Sequence, residues 1–307
     1  MAMLGAECAS LGIVNRASRF GHCLLLWLAL AGLMPASAIA QPAPAQPAAP
    51  HFVQDSMNVF RRFSGDGTKT LEFYGEVLGA GELKAVAVGR GQVSRFQVGT
   101  SQLKFTRAAD NAHYTRGALA DAVGVRLWTI WFPDEAALTA RFTRHGYTPP
   151  SFKTVDGVRS ALVTDPDGEW VQLIVEPNAP PGTYDRLDVG IASADVEKSR
   201  AFYRQFVGLE ELPQMKDPVL GVTKYPFRHG TTTISLWAAP GPRPANPGLA
   251  GVQYVIDNVD AVDARARERQ VPIEQPLADT LPGLRTVWLF DPDQVTNYFA
   301  QIVPRPR

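Results

Sequence analysis

Apolar and polar positions follow two rhythms along this chain. The segments SRFQVG, QLKFTRA, TTTISLW and GEWVQLIV alternate or are rich in β-branched and aromatic residues, which predicts strands. Other stretches space apolar residues three and four apart, as Val196, Ala201, Phe202 and Phe206 illustrate, and predict helices with one face on a sheet. A strand-then-helix pattern occurs four times. MNVFRRF precedes a helix around residues 71–77, VRLWTIWF precedes DEAALTARFTRHG, RLDVGIAS precedes DVEKSRAFYRQFVG, and VQYVID precedes NVDAVDARARERQ. Asp134 and Asp195 stand where N-caps belong, and a glycine after each helix supplies the stop. The pattern is that of an α+β protein built from four βαβββ modules.

The four modules fall into two repeats. LEFYGEVLGA (71–80) matches RAFYRQFVGLEEL (200–212), and VTDPDGEWVQLIVEP (163–177) matches LFDPDQVTNYFAQIVP (289–304). Tyr203 lies 129 residues after Tyr74 and Asp291 lies 126 after Asp165, so one unit occurs twice with small insertions or deletions. The boundary between the copies is the Pro/Gly-rich stretch 178–183, which gives a first domain over 55–177 and a second over 184–304. In the turns DPDG and DPDQ, proline fixes φ and the leading aspartate bonds back to the chain, so these carboxylates are read as structural.

The N-terminus has a different character. Arg16 and Arg19 precede an apolar run over residues 23–34, and Ala38, Ile39 and Ala40 follow, the pattern of a secretory signal peptide over 1–40. The run is shorter than the roughly 20 apolar residues that span a bilayer. Residues 41–54 open with QPAPAQPAAP, an extended Pro/Ala tether. The expected product is a soluble periplasmic or extracellular protein. Because Cys8 and Cys23 both lie in the leader, it would contain no disulfide, thiolate ligand or cysteine nucleophile. Lys plus Arg equals Asp plus Glu at 30 each, without runs of one sign, so neither nucleic acid nor a membrane surface is an expected partner. The pattern specifies no oligomeric state.

The segments VGIASADVEKSRAFYRQFVGLEEL and DPDGEWVQLIVEP closely resemble the vicinal oxygen chelate superfamily, which includes glyoxalase I, extradiol dioxygenases and bleomycin-resistance proteins. The resemblance covers about residues 55–304. It implies in each domain a curled, mixed eight-stranded sheet made of two paired βαβββ modules, with helices outside and a concave cup inside. In metal-using members the cup holds a divalent ion on His, Glu or Gln side chains from the first and last strands of each module. Such an ion needs three or four O or N donors converging at about 2.0–2.5 Å.

Carried over position by position, the resemblance points to Val59, Lys104, Leu127 and Gln172 in the first domain, where only Gln172 can ligate and Lys104 would repel a metal. In the second domain it points to Asp188, Ser235, Gly251 and either Tyr298 or Ala300. No cofactor is therefore expected, and a divalent ion only on unfamiliar ligands. None of the histidines at 51, 113, 145 and 229 falls on a ligand position.

By strand alternation, Lys104, Thr106, Leu127, Thr129, Trp131, Trp170 and Gln172 are expected to line a first cup suited to a small, partly apolar, anionic molecule. Alternatively, the aromatics fill the cup and Lys104 snorkels to its rim. A second cup would present Asp188, Thr233, Ser235, Trp237, Gln253 and Tyr298. There Asp188 requires a cationic partner or exposure, and is the one candidate general base. Three readings follow: a metal-free protein binding a small organic molecule, a metal-dependent lyase, isomerase or dioxygenase with atypical ligands, and an envelope scaffold with filled cups.

Overall fold

The computed structural model describes residues 49–304 apart from 89–90, 111 and 180–185. The leader over 1–40, most of the tether and part of the 178–183 linker lie outside the described residues. Among the described residues, no helix is long and apolar enough to cross a membrane.

Four βαβββ modules follow one another. The first contains β1 (Asn58–Phe63), α1 (Thr68–Glu72), β2 (Gly81–Val88), β3 (Gly91–Val98) and β4 (Ser101–Arg107). In the second are β5 (Gly124–Phe132), α2 (Glu135–Arg144), β6 (Lys153–Val155), β7 (Val158–Thr164) and β8 (Trp170–Val175). The third comprises β9 (Leu187–Ser193), α3 (Val196–Ala201), the short β10 (Glu210–Glu211) and β11 (Met215–Lys216), then β12 (Thr223–His229) and β13 (Thr232–Ala238). The fourth has β14 (Ala250–Val255), α4 (Val259–Glu268), β15 (Ile273–Leu281), β16 (Leu284–Phe290) and β17 (Thr296–Ile302). Asp134 and Asp195 cap α2 and α3 by accepting from the amides of Ala137 and Lys198. The helix α4 departs from the expected glycine stop: Gln270 takes the left-handed conformation there, with φ 54°.

The modules pair into two curled mixed sheets, as expected of the fold class, but the partners are exchanged. Sheet one runs β15-β16-β17-β14-β1-β4-β3-β2 and joins modules one and four, while sheet two runs β10-β12-β13-β9-β5-β8-β7-β6 and joins modules two and three, with β11 beside β12. Each sheet therefore takes one module from either side of the linker, instead of both from one repeat. The seams are the antiparallel pairs β1/β14 and β5/β9. Backbone ladders are blind to sequence, and all four modules present an equivalent first strand, so periodicity cannot tell one seam from another.

The faces turned away from the cups share one core. Tyr74 packs on Phe105 of its own sheet at 4.6 Å between ring centroids, and Trp128 of the other sheet stands edge-on to both, at 5.6 and 5.7 Å. After α1 and α3 the chain widens into π-helical turns, Phe73–Val77 and Phe202–Val207. These carry Tyr74 and Tyr203, each buried.

Both tyrosines end on a turn carboxylate of the opposite sheet. Tyr74 Oη donates to Asp165 Oδ2 at 3.0 Å and Tyr203 Oη to Asp291 Oδ2 at 2.7 Å. The other oxygen of each aspartate accepts two backbone amides of its own turn, from Asp167 and Glu169 and from Asp293 and Val295. The second aspartate of each turn crosses too, Asp167 to the Ser64 amide and Asp293 to the Ala194 amide. The structural reading of the DPD turns is thus supported, with an added role in binding sheet to sheet.

The two clamps differ in charge. Asp165 also accepts from Arg61 Nη1 at 3.0 Å, and the Arg61 guanidinium lies 3.8 Å over the Trp128 ring. Asp291 has the like charge of Asp293 beside it, and burial together with that neighbour pushes its pKa up to about 7.

Two outcomes are expected. Arg61→Met leaves a buried carboxylate uncompensated and is expected to cost about 3–5 kcal/mol in urea unfolding, part of which Asp165→Asn in the same chain restores. Additive losses in the double variant would show that the ion pair does not hold the turn. For Asp291, the folded pKa near 7 exceeds the roughly 3.9 of an unfolded aspartate, so the native state retains a proton that the unfolded chain has lost. Its contribution favours folding at low pH and disappears as pH rises from about 4 to 7, by on the order of a few kcal/mol. Urea midpoints at pH 4.5, 5.5, 7 and 8 should converge on those of Asp291→Asn at the acid end and fall below them at the neutral end; parallel curves would contradict the assignment.

Candidate functional site

Because the modules are exchanged, the cups contain different residues from those the repeats suggest. In sheet one the central strands are β17-β14-β1-β4, and their cup faces carry Asn58 and Phe60, Lys104, Gln253 and Tyr298. Val59 turns the other way, into the core, so the expected register on β1 is corrected by one residue to Asn58. Sheet two brings together Thr129, Gln172, Asp188, Ser235 and Trp237. Lys104 is thereby separated from Gln172 and Trp170, and Gln253 and Tyr298 from Asp188. The groupings inferred from the repeats are corrected because each cup spans a seam between repeats.

In the first cup Lys104 Nζ donates a short hydrogen bond to Gln253 Oε1, and Asn58 Nδ2 approaches the same oxygen at 3.5 Å. Burial, with Arg95 opposite on β3 as a second cause, lowers the Lys104 pKa to about 8. An aromatic wall stands beside this pair. Trp288 lies 4.6 Å from Tyr298 and 5.8 Å from Phe60, centroid to centroid. Phe60 leans across Gly251, where a Cβ would come within 2.7 Å of its ring and 2.2 Å of the Thr296 carbonyl oxygen, so glycine is required. Lys104, Thr106, Trp288 and Tyr298 all remain half-buried, and burial raises the Tyr298 pKa to about 12, which keeps its hydroxyl protonated.

The polar side chains of the second cup bond to one another. Asp188 Oδ1 accepts from Thr233 Oγ1 at 2.6 Å and Ser235 Oγ at 2.7 Å, while Lys224 Nζ stands 3.6 Å from Oδ2 and 2.8 Å from Asp217. Lys224, Asp188 and Asp217 are 5%, 3% and 5% exposed. The cation that Asp188 requires is thus a lysine two strands away. Thr129 donates to Gln172 at 3.1 Å. Trp237 lies over Gly190, whose Cβ would come within 2.7 Å of the indole, and packs with Leu127 and Ala192, with Leu162 and Trp170 against them. Trp170 also donates to the Gly117 carbonyl at 2.6 Å. Trp131 sits at the end of β5 under the Arg186 guanidinium, at 4.7 Å, and lines a separate 250 Å³ cleft with Leu78, Gln97 and Val98.

Neither donor set fits a divalent ion. The first cup offers amides, a phenol, an amine and one carboxylate, Glu274, which accepts from Thr296, and the second offers the Gln172 amide, hydroxyls of Thr129, Thr233 and Ser235, and two carboxylates, Asp188 and Asp217, already held by the Lys224 ammonium. Among the described residues, no group of three or more His, Cys, Asp or Glu converges. Of the histidines, His145 pairs with Glu72 at 3.3 Å and His229 bonds the Gln54 carbonyl at 2.6 Å, both outside the cups.

Sequence reasoning missed Asn58, Phe60 and Trp288 in the first cup, and Lys224 and Asp217 in the second. The need of Asp188 for a cation could have led to Lys224 in the alternating stretch TKYPF. Trp288 carried no comparable signal, because an aromatic on an alternating strand suits core and cavity equally and its partner Phe60 comes from the other end of the chain.

Two curled sheets of paired βαβββ modules, each with a cup across its seam, define the architecture of a vicinal oxygen chelate protein. The chain belongs to the Glyoxalase/Bleomycin resistance protein/Dioxygenase superfamily, whose family model matches residues 56–173 and 186–299. Glyoxalase I from Zea mays superposes with a TM-score of 0.61 at 20% identity, covering 80% of this chain and 92% of that one. A putative dioxygenase from Bacillus subtilis does so with a TM-score of 0.59 at 15% identity, over 80% and 85%. At these identities the likeness is one of fold. In sequence, the uncharacterized protein YwkD of Bacillus subtilis is 28% identical over 113 residues, 35% of this chain and 88% of its own length.

The charge arrangement in the second cup is directly testable. Lys224→Met leaves two buried carboxylates without their ammonium and is expected to lower stability by about 3–5 kcal/mol in urea unfolding, whereas a loss under about 1 kcal/mol would mean that water, not Lys224, compensates Asp188.

Proposed function

We propose that this chain is an exported protein that binds a small, partly apolar organic molecule in its first cup, without a divalent metal. The observation that carries the reading is the contrast between the cups. One is filled by Trp237, Leu127 and the Lys224–Asp188–Asp217 network, and the other leaves Lys104, Trp288 and Tyr298 half-buried around an aromatic wall. Apolar walls with a few placed polar groups are what small-molecule sites offer. The indole Nε1 of Trp288 is buried with no protein partner, an orphan donor of the kind that a ligand oxygen satisfies. Arg95 beside Lys104 favours a ligand with negative or carbonyl-type polarity at that end. The filled-cup reading applies to sheet two, where the cup serves as packing. Export rests on the leader pattern over residues 1–40.

In both cups a lysine ammonium occupies the neighbourhood of a ligand position, Lys104 on Gln253 and Lys224 on Asp188. A second cation there would meet direct repulsion. Glyoxalase-type or dioxygenase-type chemistry through a metal on Gln172 or Asp188 would require Lys224 to leave its two carboxylates.

The test is elemental analysis of the mature protein, purified without a histidine tag, after incubation with zinc, nickel, manganese and ferrous iron. No retained metal is expected, together with saturable quenching of tryptophan fluorescence by benzoate or benzyl alcohol that Trp288→Ala abolishes. Near-stoichiometric metal that Gln172→Ala or Asp188→Ala removes would overturn the metal-free reading.

A further inference from the structure

We propose that the Lys104 amine captures an aldehyde or ketone in the first cup as a reversible imine, an inference that rests on this cup being the binding site. Lys104 faces the cup from β4, beside Phe60 on β1, with Gln253 and Tyr298 in the next rows of the sheet. Its Nζ donates to the Gln253 side-chain oxygen, which Asn58 approaches from the other side, and this holds the nitrogen toward the seam at the centre of the cup. Among the described residues Lys104 forms no ion pair, in contrast to Lys224, which is held between two carboxylates. The Gln253 oxygen can accept from the amine as well as from the ammonium, though more strongly from the ammonium, and no carboxylate pairs with Lys104 to hold its charge.

The ammonium still predominates at neutral pH, but the environment weakens it. Burial and the nearby Arg95 disfavour the ammonium, and a pKa near 8 raises the free-amine fraction at neutral pH by on the order of a hundredfold over ordinary lysine. A desolvated lysine of this kind is the usual amine nucleophile toward carbonyl compounds. In the step, the nitrogen lone pair adds to the carbonyl carbon, and the carbinolamine then loses its oxygen as water together with the two amine hydrogens. One C=N bond replaces one C=O bond, and no oxidant or reductant is consumed. The product is neutral, so it suits a wall made of Phe60, Tyr298 and Trp288, with the substituent of the carbonyl compound against the rings.

The experiment treats the mature protein with benzaldehyde and cyanoborohydride, which reduces any imine to a stable amine, and maps the adducts by peptide mass spectrometry. Lys104 is expected to react at pH 7.5 roughly tenfold faster than the exposed Lys153 in the same molecule, with a rate that rises to half its maximum near pH 8. Adducts at Lys104 forming no faster than at Lys153 would overturn the imine. The comparison is internal to the wild-type chain and does not depend on a variant folding. Fluorescence titration with benzyl alcohol, which has no carbonyl, separates the two claims: binding without preferential labelling removes only the imine, and absence of both removes the binding reading as well.

Discussion

A buried phenol hydroxyl resting on a turn carboxylate of the opposite sheet, made once in each repeat, is the contact on which the arrangement of this molecule depends. Tyr74 reaches Asp165 and Tyr203 reaches Asp291, and in each case the aspartate's other oxygen is already committed to two amides of its own turn. The carboxylate therefore fixes the turn and the neighbouring module with one group. Such a bond adds only about 1 kcal/mol net, more where the acceptor is charged, but its loss leaves a polar atom buried without a partner. Since tyrosine and aspartate of one repeat sit in different sheets, a link made within a repeat works as a cross-tie. Each linker-spanning seam, β1/β14 and β5/β9, is thus held in place by contacts within a repeat.

That exchange also accounts for what the sequence reveals and what it hides. Period-two and helical patterns, the Asp134 and Asp195 caps and the DPD turns were all legible, because they depend on residues a few positions apart. The resemblance of the FY helix and the DPD turn pointed to the family, and the two segments turn out to be partners in one hydrogen bond. Strand partners across a seam were not legible. The first strands of all four modules are interchangeable as backbone ladders, and the choice among them is made by packing at a distance. For that reason Lys104 was grouped with Gln172, while its actual neighbour is Gln253, 149 residues away.

Within a cup, legibility depended on whether a residue states a need. Asp188 did: a carboxylate on a buried face requires a cation, and Lys224 supplies it. Val59 did not, since an apolar residue on a two-sided buried strand fits either face, and a slip of one residue exchanged it for Asn58. Phe60 and Trp288 were invisible for a similar reason, as aromatics suit core and cavity equally.

One duplicated unit has produced two unlike cups, and the difference lies in how each handles a lysine. In sheet two the lysine is buried between Asp188 and Asp217, and Trp237 packs on the same face against Leu127 and Ala192. In sheet one the lysine has an amide partner and an arginine for company, so its charge is the least stable feature of the site. A buried ion pair is strongly weakened by removing either member, whereas a desolvated amine with a neutral partner changes protonation at modest cost. The same architecture thus holds a compensated lysine in one sheet and an uncompensated one in the other.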